Sequence, residues 1–461
     1  MPSVSSPTSP TSTAEFCARV LAAGTAPLPP PVEYAARRSL LNVLGTAIGA
    51  ARTAAVESLL ATAREQGAAG AVVIPGRDET VDPHWGALIA GTAAHLDDFD
   101  DTHLATVIHP GAAVLATLLA LQPELVHSGS RYLSAFALGC EVQLRIGNAI
   151  SPSHYDHGWH ITGTCGVFGA TTAAALLLGL SATELEHALA LVSTMVVGHR
   201  EGFGSMTKPL HPGKAAANGL LAVRLAAGGA TGFADPLGDA GVLPVLAAQV
   251  DRGALMTSWE RDWELESNAF KPYPCGIVAH PAIDAATAAS ARLGDPAAIS
   301  AVEVTCHPLV PELMGRRQPR DGLQARFSAY HATAVGLLDG RVGLVQFGDE
   351  RAVAPEVERL RALITLRPTE ECARDEATIR VFRHDADPVS VHVRHARGSL
   401  DRPLTDEELF DKVDRLIMPV LGSGAARTIR QAVDRLAAAP DPAELLTAIR
   451  PSGTDGQETR R

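Results

Sequence analysis

Apolar residues recur at helical spacing along most of the chain between Pro31 and about Val250. Segments such as HWGALIAGTAAHL, GAAVLATLLALQPEL and GVFGATTAAALLLGL place small and aliphatic residues on one helix face, and short breaks with Gly, Pro or His separate them. Ser181 and Glu184 have the spacing of a capping box, which predicts a helix start. We therefore expect a compact helical bundle in this region, in which no strand is required.

The pattern changes after residue 268. ISAVEVTCHPLV alternates and is rich in β-branched residues, and ATIRVFRHDADPVSVHVRH predicts two strands around a turn at Asp385 to Pro388. Helices return at LTDEELFDKVDRLIMPVL, which opens with a capping box at Thr405 and Glu408. The sequence thus predicts a mainly α protein, in which a large all-helical domain of residues 1–268 plus 400–461 carries a smaller inserted α/β (α+β) lid domain of residues 269–399. We expect the ligand in the cleft between them.

Composition and charge exclude several classes of function. The formal net charge is −12 without a basic tract, which argues against nucleic acid as a partner because phosphate binding needs clustered Lys and Arg. The six cysteines form no C-x-x-C pair, which argues against a zinc ribbon, an iron–sulfur cluster and a disulfide framework. No apolar stretch is judged long and unbroken enough to span a bilayer, so we expect a cytoplasmic protein with no membrane partner. The Ser/Pro/Thr-rich start and the polar last eleven residues are predicted to be disordered.

Lysine is rare in this chain. Of the 39 basic residues only four are lysine, so 35 are arginine. Because most surface positions tolerate either residue, a lysine that survives this bias is a candidate for a role that needs a compact or titratable ammonium group. The four are Lys208, Lys214, Lys271 and Lys412. Two stand next to proline, in TKPLHPGK and FKPYP, which favours function over chance retention for Lys208 and Lys271.

The stretch HLDDFDDTHLATVIHPG, residues 95–111, holds four aspartates and three histidines. Pro110 suits the first position of a helix, so His109 is predicted at a helix N-terminus, where free amides and the helix dipole favour an anion such as a substrate carboxylate. The alternative is that the aspartates and His109 only cap helices. A metal site is less favoured, because no spacing such as H-x-x-x-H fixes a coordination geometry, and we predict none.

Three later breaks between helices also carry histidine or lysine. They are HYDHGWHITGTCG with His154, His157 and His160, HREGFGSMTKPLHPGK with Lys208, and FKPYPCGIVAHPAID with Lys271 and His280. Gly202 and Gly204 are expected to form a tight loop that presents Lys208, and Pro212 to start the following helix. We expect these breaks to converge on one cleft.

The motifs DFDDTHLATVIHPG, GWHITGT, GSMTKPLHPG, KPYPC followed by HPAIDA, and ARFSAYHATAVGLL resemble successive signatures of the 2-methylcitrate dehydratase family, also called MmgE/PrpD. They occur in family order over residues 14–440. The resemblance implies a helical domain with an α/β lid, a homodimer, and chemistry on a small carboxylic acid substrate without a metal or organic cofactor. Members include 2-methylcitrate dehydratase, cis-aconitate decarboxylase and iminodisuccinate epimerase.

The resemblance implies six site residues, which are Asp98, Thr102, His109, His160, Lys208 and Lys271, and the breaks between helices add His157 and His280. As catalytic residues we predict His109, His160, Lys208 and Asp98, and as substrate-binding residues Thr102, Lys271, His280 and His157. The histidines His109 and His160 would transfer protons, since an imidazole has a pKa near neutrality, and either could be the base. Lys208 and Lys271 would bind carboxylates and stabilise the negative charge that develops next to one.

The chain departs from the family pattern at three places. A histidine follows the junction lysine shortly in the decarboxylase branch, whereas Cys275 and Gly276 stand here, and the spacing from Thr102 to His109 is longer. The usual lysine of the K-F-S motif is Arg326. We therefore predict a hydro-lyase, a dehydratase of a small hydroxy di- or tricarboxylic acid of the 2-methylcitrate type. Decarboxylation and epimerisation are the alternatives, and a non-enzymatic carboxylate-binding protein is favoured least.

Overall fold

The computed structural model of the protein describes residues 12–451 except 125, 126, 258, 260 and 385. The chain ends that are predicted to be disordered lie almost wholly outside the described residues. The described chain is mainly α with a small α/β part, as the sequence predicts. Its helices are α1 Thr13–Thr25, α2 Pro30–Gly49, α3 Ala54–Glu65, α4 Pro83–His95, α5 Pro110–Ala120, α6 Gly129–Ile150, α7 Ser153–Asp156, α8 Ile161–Leu178, α9 Ala182–Ser193, α10 Thr207–Ala227, α11 Leu243–Leu246, α12 Gly253–Met256, α13 His280–Ser290, α14 Leu309–Met314, α15 Gly322–Ala325, α16 Ala329–Asp339, α17 Asp349–Ala352, α18 Pro355–Ala362, α19 Asp406–Leu421, α20 Ala425–Arg435 and α21 Ala443–Ala448.

Two hydrophobic clusters hold most of the buried apolar side chains. The larger draws on residues 16–265 and 413–449, and we call the elements around it the helical part. The second draws on residues 273–389 and belongs to what we call the α/β part. The C-terminal helices thus return to the helical part, and α19 packs on α2.

A four-stranded sheet organises the α/β part. The strands of the whole described chain are β1 Val72–Val73, β2 Thr80–Val81, β3 Thr102–His103, β4 Asn268–Ala269, β5 Ile299–Cys306, β6 Ile364–Pro368, β7 Ala377–Arg383 and β8 Val389–Val393. The sheet has the order β6-β5-β7-β8, with β5 and β6 parallel and the other pairs antiparallel. The predicted alternating strand and the predicted pair of strands are confirmed as β5, β7 and β8. Asp385, in the predicted turn, lies outside the described residues.

The expectation that the helical part needs no strand is wrong in detail. β1 pairs with β2, and β3 pairs with β4 with Thr102 opposite Ala269. Two-residue strands leave no hydrophobic alternation to read, so the sequence pattern does not show them. The β3–β4 pair has a consequence for the site, because it fastens the loop after α4 to the chain two residues before Lys271.

Helices α4 and α10 pack closely through glycine. A Cβ atom on Gly91 would lie 2.7 Å from the Cα atom of Gly213, so the two backbones touch only because neither residue has a side chain. α10 also begins at Thr207, which corrects the expectation that a loop presents Lys208 and that Pro212 starts the helix. Pro209 lies in the first turn, where an amide hydrogen has no intrahelical partner, so it permits the earlier start. Lys208 is therefore held on a rigid helix.

Helix α8 corrects the prediction about membrane-spanning stretches. Its 18 residues have a mean hydropathy of 1.6, which is long and apolar enough to cross a bilayer. However, 94% of this window is buried inside the protein, and a core helix passes the same test. Its small residues explain the burial, because α6 and α10 both pack against it.

Candidate active site

The loop between α4 and α5 carries the site. Asp98 has a φ of 50°, in the left-handed region that Asp tolerates better than most residues, and such backbone strain concentrates at functional sites. His109 is the N-cap residue of α5 and Pro110 its first residue, as predicted. The backbone amide of His109 donates to Thr162 Oγ1 over 3.1 Å, which links the end of this loop to α8.

The predicted residues from four separate breaks line one cavity of about 50 Å³ between the helical and α/β parts. The polar and aromatic walls are Asp98, Thr102, His109, Tyr155, His160, Phe203, Lys208, Lys271 and Phe327. The remaining walls are Val107, Gly276, Ile277, Val278, Leu313 and Met314. The α/β part contributes apolar side chains to the cavity wall, whereas the polar groups come from the helical part and the junction. This distribution gives one polar face opposite one apolar face.

Asp98 lies between two buried ammonium groups. Lys208 Nζ donates to Asp98 Oδ1 over 2.6 Å, and Lys271 Nζ lies 3.1 Å from Oδ2 and donates to the Asp98 carbonyl over 2.9 Å. These opposite charges hold the pKa of Asp98 well below its usual range although burial opposes them. Asp98 Oδ2 accepts no hydrogen bond from any described residue. This buried oxygen therefore has the Lys271 ammonium group as its ion-pair partner but still has unused capacity to accept a hydrogen bond.

Asp100 joins two imidazoles. Its carboxylate oxygens accept from His95 Nδ1 over 2.7 Å and from His109 Nδ1 over 2.9 Å. An ionised carboxylate can only accept, so both rings carry their proton on Nδ1 and leave the Nε2 lone pair free. The Nε2 of His95 then accepts from Lys208 Nζ over 2.8 Å. The free Nε2 of His109 lies 3.8 Å from Asp98 Oδ1 and is a ready proton acceptor.

His160 belongs to the same group. Its ring stacks on that of His95 with centroids 5.5 Å apart, and its Nδ1 lies 2.8 Å from the Nδ1 of His211, so one of these two rings donates to the other. Burial, and then the charge of Lys208, hold the pKa of His160 well below its usual value. Burial likewise lowers the pKa of His109 to about 3, against the opposing pull of Asp100. Both rings are therefore neutral at pH 7, and a neutral imidazole can take up a proton.

These buried neutral histidines predict a pH dependence of stability. Burial lowers the pKa of His109 and His280 to about 3, and that of His154, His211 and His331 to about 4. Unfolded histidines titrate near pH 6.5, so below that pH the unfolded chain binds protons that the folded chain does not. We expect the free energy of unfolding, measured with urea, to be highest above about pH 6.5 and to fall by up to about 1.4 kcal/mol per pH unit for each such histidine as the pH drops toward 4.

A matched variant tests the origin of this slope. His331 lies in the α/β part, away from the cavity, and its Nε2 donates to the Gln346 carbonyl over 2.7 Å. His331→Gln keeps a donor but cannot titrate, so the slope between about pH 6 and about pH 4.5 is expected to decrease by about one proton. A free energy of unfolding that is flat across this interval in the wild type would contradict the prediction.

The donor atoms of His95, Asp98, Asp100 and His109 lie within 4.8 Å of one another, which raises the question of a metal ion. The arrangement fits a divalent cation poorly. Asp98 already faces two ammonium groups at 2.6 and 3.1 Å, which would repel the ion, and both oxygens of Asp100 accept imidazole N–H bonds. Metal ligation would require these hydrogen bonds to break. The cluster is better suited to holding and moving protons.

Two predicted substrate-binding residues do not reach the cavity. His157 is exposed at the C-cap of α7. His280 is buried, but its Nε2 interacts with the Cys275 carbonyl at 3.3 Å and its ring packs edge-on against Tyr273. The structure therefore gives His280 a supporting position behind the junction. By contrast, Thr102 lines the cavity, with its hydroxyl 3.4 Å from His109 Nδ1.

Arg326 also points away from the cavity. Its guanidinium donates to the Asp97 carbonyl over 3.1 Å, to Asp97 Oδ1 over 2.6 Å and to the Phe347 carbonyl over 3.3 Å. It thus ties the α/β part to the loop that carries Asp98. Arg326 stands where the family pattern has a lysine. This replacement therefore affects the link between the α/β part and the loop, and it does not change the wall of the cavity.

Sequence reasoning assigned no role to His95, Asp100 and His211, although all three contact predicted site residues. His95 and Asp100 lie inside the acidic stretch quoted above, so the composition of that stretch was the available signal. His211 stood in the quoted lysine motif as the residue before Pro212. Of the four lysines, Lys208, Lys271 and Lys412 are buried, and two of these line the cavity.

Comparisons with known proteins identify the proteins that this chain is similar to. Residues 14–251 match the MmgE/PrpD N-terminal domain, and residues 273–438 match the MmgE/PrpD C-terminal domain. The chain is 30% identical to cis-aconitate decarboxylase of Mus musculus over 352 residues, which are 73% of this chain and 72% of the mouse protein. It is 25% identical to cis-aconitate decarboxylase of Aspergillus terreus over 462 residues, 92% of this chain and 93% of the fungal protein. Since both domains match in order over most of its length, the chain belongs to the MmgE/PrpD family and is an enzyme of lyase type.

Proposed function

We propose that the protein is a dehydratase that removes water from a small hydroxy di- or tricarboxylic acid without a metal or organic cofactor. One observation carries the proposal: two buried ammonium groups and a neutral imidazole of fixed tautomer line the same cavity. The ammonium groups suit carboxylates, and the imidazole suits removal of a proton next to a carboxylate. The homodimer and the cytoplasmic location stay predictions.

Lys208 and Lys271 bind the substrate carboxylates and stabilise the charge that develops when the neighbouring carbon loses its proton. Both lysines are buried, so no bulk water weakens this interaction. A preorganised donor of this kind is worth about 3–4 kcal/mol of transition-state stabilisation. Asp98 holds the two ammonium groups close together before substrate arrives, because its carboxylate lies 2.6 Å from Lys208 Nζ and 3.1 Å from Lys271 Nζ. When a substrate carboxylate draws Lys271 away, the Asp98 carboxylate can accept a hydrogen bond from a substrate hydroxyl.

His109 acts as the base, because Asp100 fixes its proton on Nδ1 and its free Nε2 is the atom that takes the substrate proton. The electrons of the broken C–H bond form the carbon–carbon double bond, and the C–O bond to the β-hydroxyl breaks. The hydroxyl leaves as water with a proton from His160. Because His160 is neutral at rest, it first takes up this proton from solvent through the half-buried His211, to which it is hydrogen-bonded. General acid and base catalysis typically contribute about 10²–10⁴-fold each. His95 contacts both proton carriers, because its ring lies edge-on to that of His109 with centroids 4.6 Å apart and stacks on that of His160 with centroids 5.5 Å apart.

The cavity is too small for the proposed substrate. About 50 Å³ is far below the roughly 300–1,000 Å³ of small-molecule sites, so a tricarboxylate does not enter without movement. The apolar wall of Leu313, Met314 and Phe327 belongs to the α/β part and covers the polar face. Withdrawal of this wall admits substrate, and its return excludes water from the reaction.

Decarboxylation is the second candidate, because the curated relatives described above carry the name cis-aconitate decarboxylase. In that reaction the bond from carbon to a carboxylate breaks, CO₂ leaves, and the resulting carbanion takes a proton from His160 or from an ammonium group. Gly276 lines the cavity in the segment where the family resemblance implies that a decarboxylase has a histidine. This lack of an imidazole at 276 favours dehydration.

Proton NMR in D₂O tests the proposal and separates the two reactions. The full chain is incubated in parallel with citrate, 2-methylcitrate and cis-aconitate. Dehydration predicts vinyl signals from the hydroxy acids together with exchange of the abstracted proton for deuterium, and no CO₂ from cis-aconitate. Release of CO₂ from cis-aconitate without turnover of any hydroxy acid would establish the second candidate instead. Absence of both reactions and of exchange would contradict the proposed function.

A further inference from the structure

A second cavity lies on the other side of the loop that carries Asp98. It has a volume of about 470 Å³, within the range of roughly 300–1,000 Å³ that small-molecule sites occupy. One wall is a face of α19, formed by Glu408, Lys412, Arg415, Leu416 and Pro419. The opposite wall is the segment 341–346 of the α/β part. We call this cavity the α19 cleft.

The charges of the α19 cleft are mainly positive. Three arginines, Arg341, Arg397 and Arg415, line it together with one acid, Glu408, and with Lys412, whose pKa burial lowers to about 7. Glu408 is engaged by Arg397 at 2.8 Å, whereas Arg341 makes no ion pair within the described part of the chain. Arg415 is exposed and only 3.9 Å from Asp411 at closest approach. The cleft therefore has positive charge that its own acid does not neutralise, which suits an anion.

The rest of the lining is apolar. Val342, Leu344, Leu404 and Leu416 border the cleft, and Val345 is 78% exposed at its rim. When a ligand covers a valine as exposed as this one, the burial of apolar surface makes the free energy of binding more favourable. An inorganic anion would leave these walls in water. A ligand that satisfies both the charges and the walls carries an anionic group and a chain of several carbon atoms.

The floor of the cleft is the back of the active site. Phe99 and Pro272 line it, and they directly follow Asp98 and Lys271 in the chain. Lys412 Nζ donates to the Phe99 carbonyl over 2.6 Å and lies 4.0 Å from the centre of the Phe99 ring. A ligand in the cleft thus contacts the residues next to the two catalytic groups without contacting those groups.

We propose that the α19 cleft is a second binding site, for an organic anion with an apolar chain such as a medium-chain carboxylate. This inference does not rest on the proposed dehydration, because no residue of the cleft lines the active-site cavity. The carboxylate lies between Arg341 and Arg415, and the chain lies along Val345 and Leu416. Bound there, the ligand holds α19 against the α/β part.

Isothermal titration of the full chain with sodium octanoate tests the proposal, and octylammonium, which has the same chain and the opposite charge, is the matched probe. We expect saturable binding of octanoate, with octylammonium binding at least about tenfold more weakly. Val345→Glu and Arg341→Glu, both at exposed positions, are each expected to raise the octanoate Kd at least about tenfold. Lys208→Ala is expected to leave that Kd unchanged.

Several outcomes would overturn the proposal. These are no saturable octanoate binding at millimolar concentration, equal binding of octylammonium, or a Kd that Val345→Glu and Arg341→Glu leave unchanged. Loss of octanoate binding in Lys208→Ala would place the carboxylate in the active site instead. The remaining alternative is that the cleft is a contact between copies of this chain. Light scattering of the same samples tests it, because a change of subunit number in Val345→Glu would identify such a contact.

Discussion

Lys208→Ala is expected to lower kcat/KM for the preferred substrate at least about a hundredfold while the fold stays intact. The ammonium group of Lys208 contacts both Asp98 and His95, at 2.6 and 2.8 Å. Without it, one substrate carboxylate has no buried cation and Asp98 keeps only Lys271. Most of the loss should appear in kcat, because the charge that Lys208 stabilises is larger in the transition state than in the substrate.

Steady-state kinetics on the purified variants measures this effect, and Lys214→Ala is the matched control. Lys214 lies on the same helix, α10, but it does not line the active-site cavity. We expect Lys214→Ala to keep near-normal turnover. Circular dichroism and the thermal midpoint show whether Lys208→Ala is folded. Near-normal kcat/KM in a folded Lys208→Ala would rule out the proposed site.

Asp100→Asn is expected to reduce kcat at least about a hundredfold and to change the pH dependence of kcat. The asparagine keeps the shape of Asp100, but its NH₂ group can no longer accept from an imidazole N–H. One of the two rings, His95 or His109, then flips or changes its tautomer. That ring no longer offers its Nε2 lone pair as an acceptor. Asp100 acts through these rings and is a positioning residue, so the pH profile is the informative measurement.

Asp101→Asn is the control for this experiment. Asp101 is equally buried, but it accepts from Ser39 and Asn268 instead of from imidazoles. Burial raises its pKa to about 6, so Asp101→Asn is expected to cost mainly the hydrogen bonds that the carboxylate accepts from Ser39 and Asn268. We expect lower thermal stability in both variants and an altered kcat pH profile only in Asp100→Asn. The same altered profile in both would show that Asp100 has no specific role.

Local rules of sequence predict the frame of this protein well. The capping boxes at Ser181 and Thr405 begin helices as expected, and Pro110 places His109 at an N-cap. Each of these features depends on residues a few positions apart. The start of α10 was missed because Pro209 fits the first turn of a helix as well as it fits a loop.

The site was predictable only as far as its composition. The acidic stretch and the rare lysines point to Asp98, Lys208 and Lys271, but the sequence cannot show which atoms meet. His95 looks like the end of an apolar helix, and it gains a role only through Lys208, which is 113 positions away in the chain. His157 shows the reverse case, since the density of histidines around it suggested a site that its exposed position does not reach.

The small cavity has a consequence for isotopic labelling. A volume of about 50 Å³ leaves room for only a few water molecules. A hydrogen atom that His109 has removed therefore exchanges slowly with bulk solvent while the α/β part covers the polar face. Deuterium placed at the reacting carbon would then return in part to the same molecule whenever the reaction reverses before the wall of Leu313, Met314 and Phe327 withdraws. Retention of the label thus reports how often the enclosure opens relative to the chemical step.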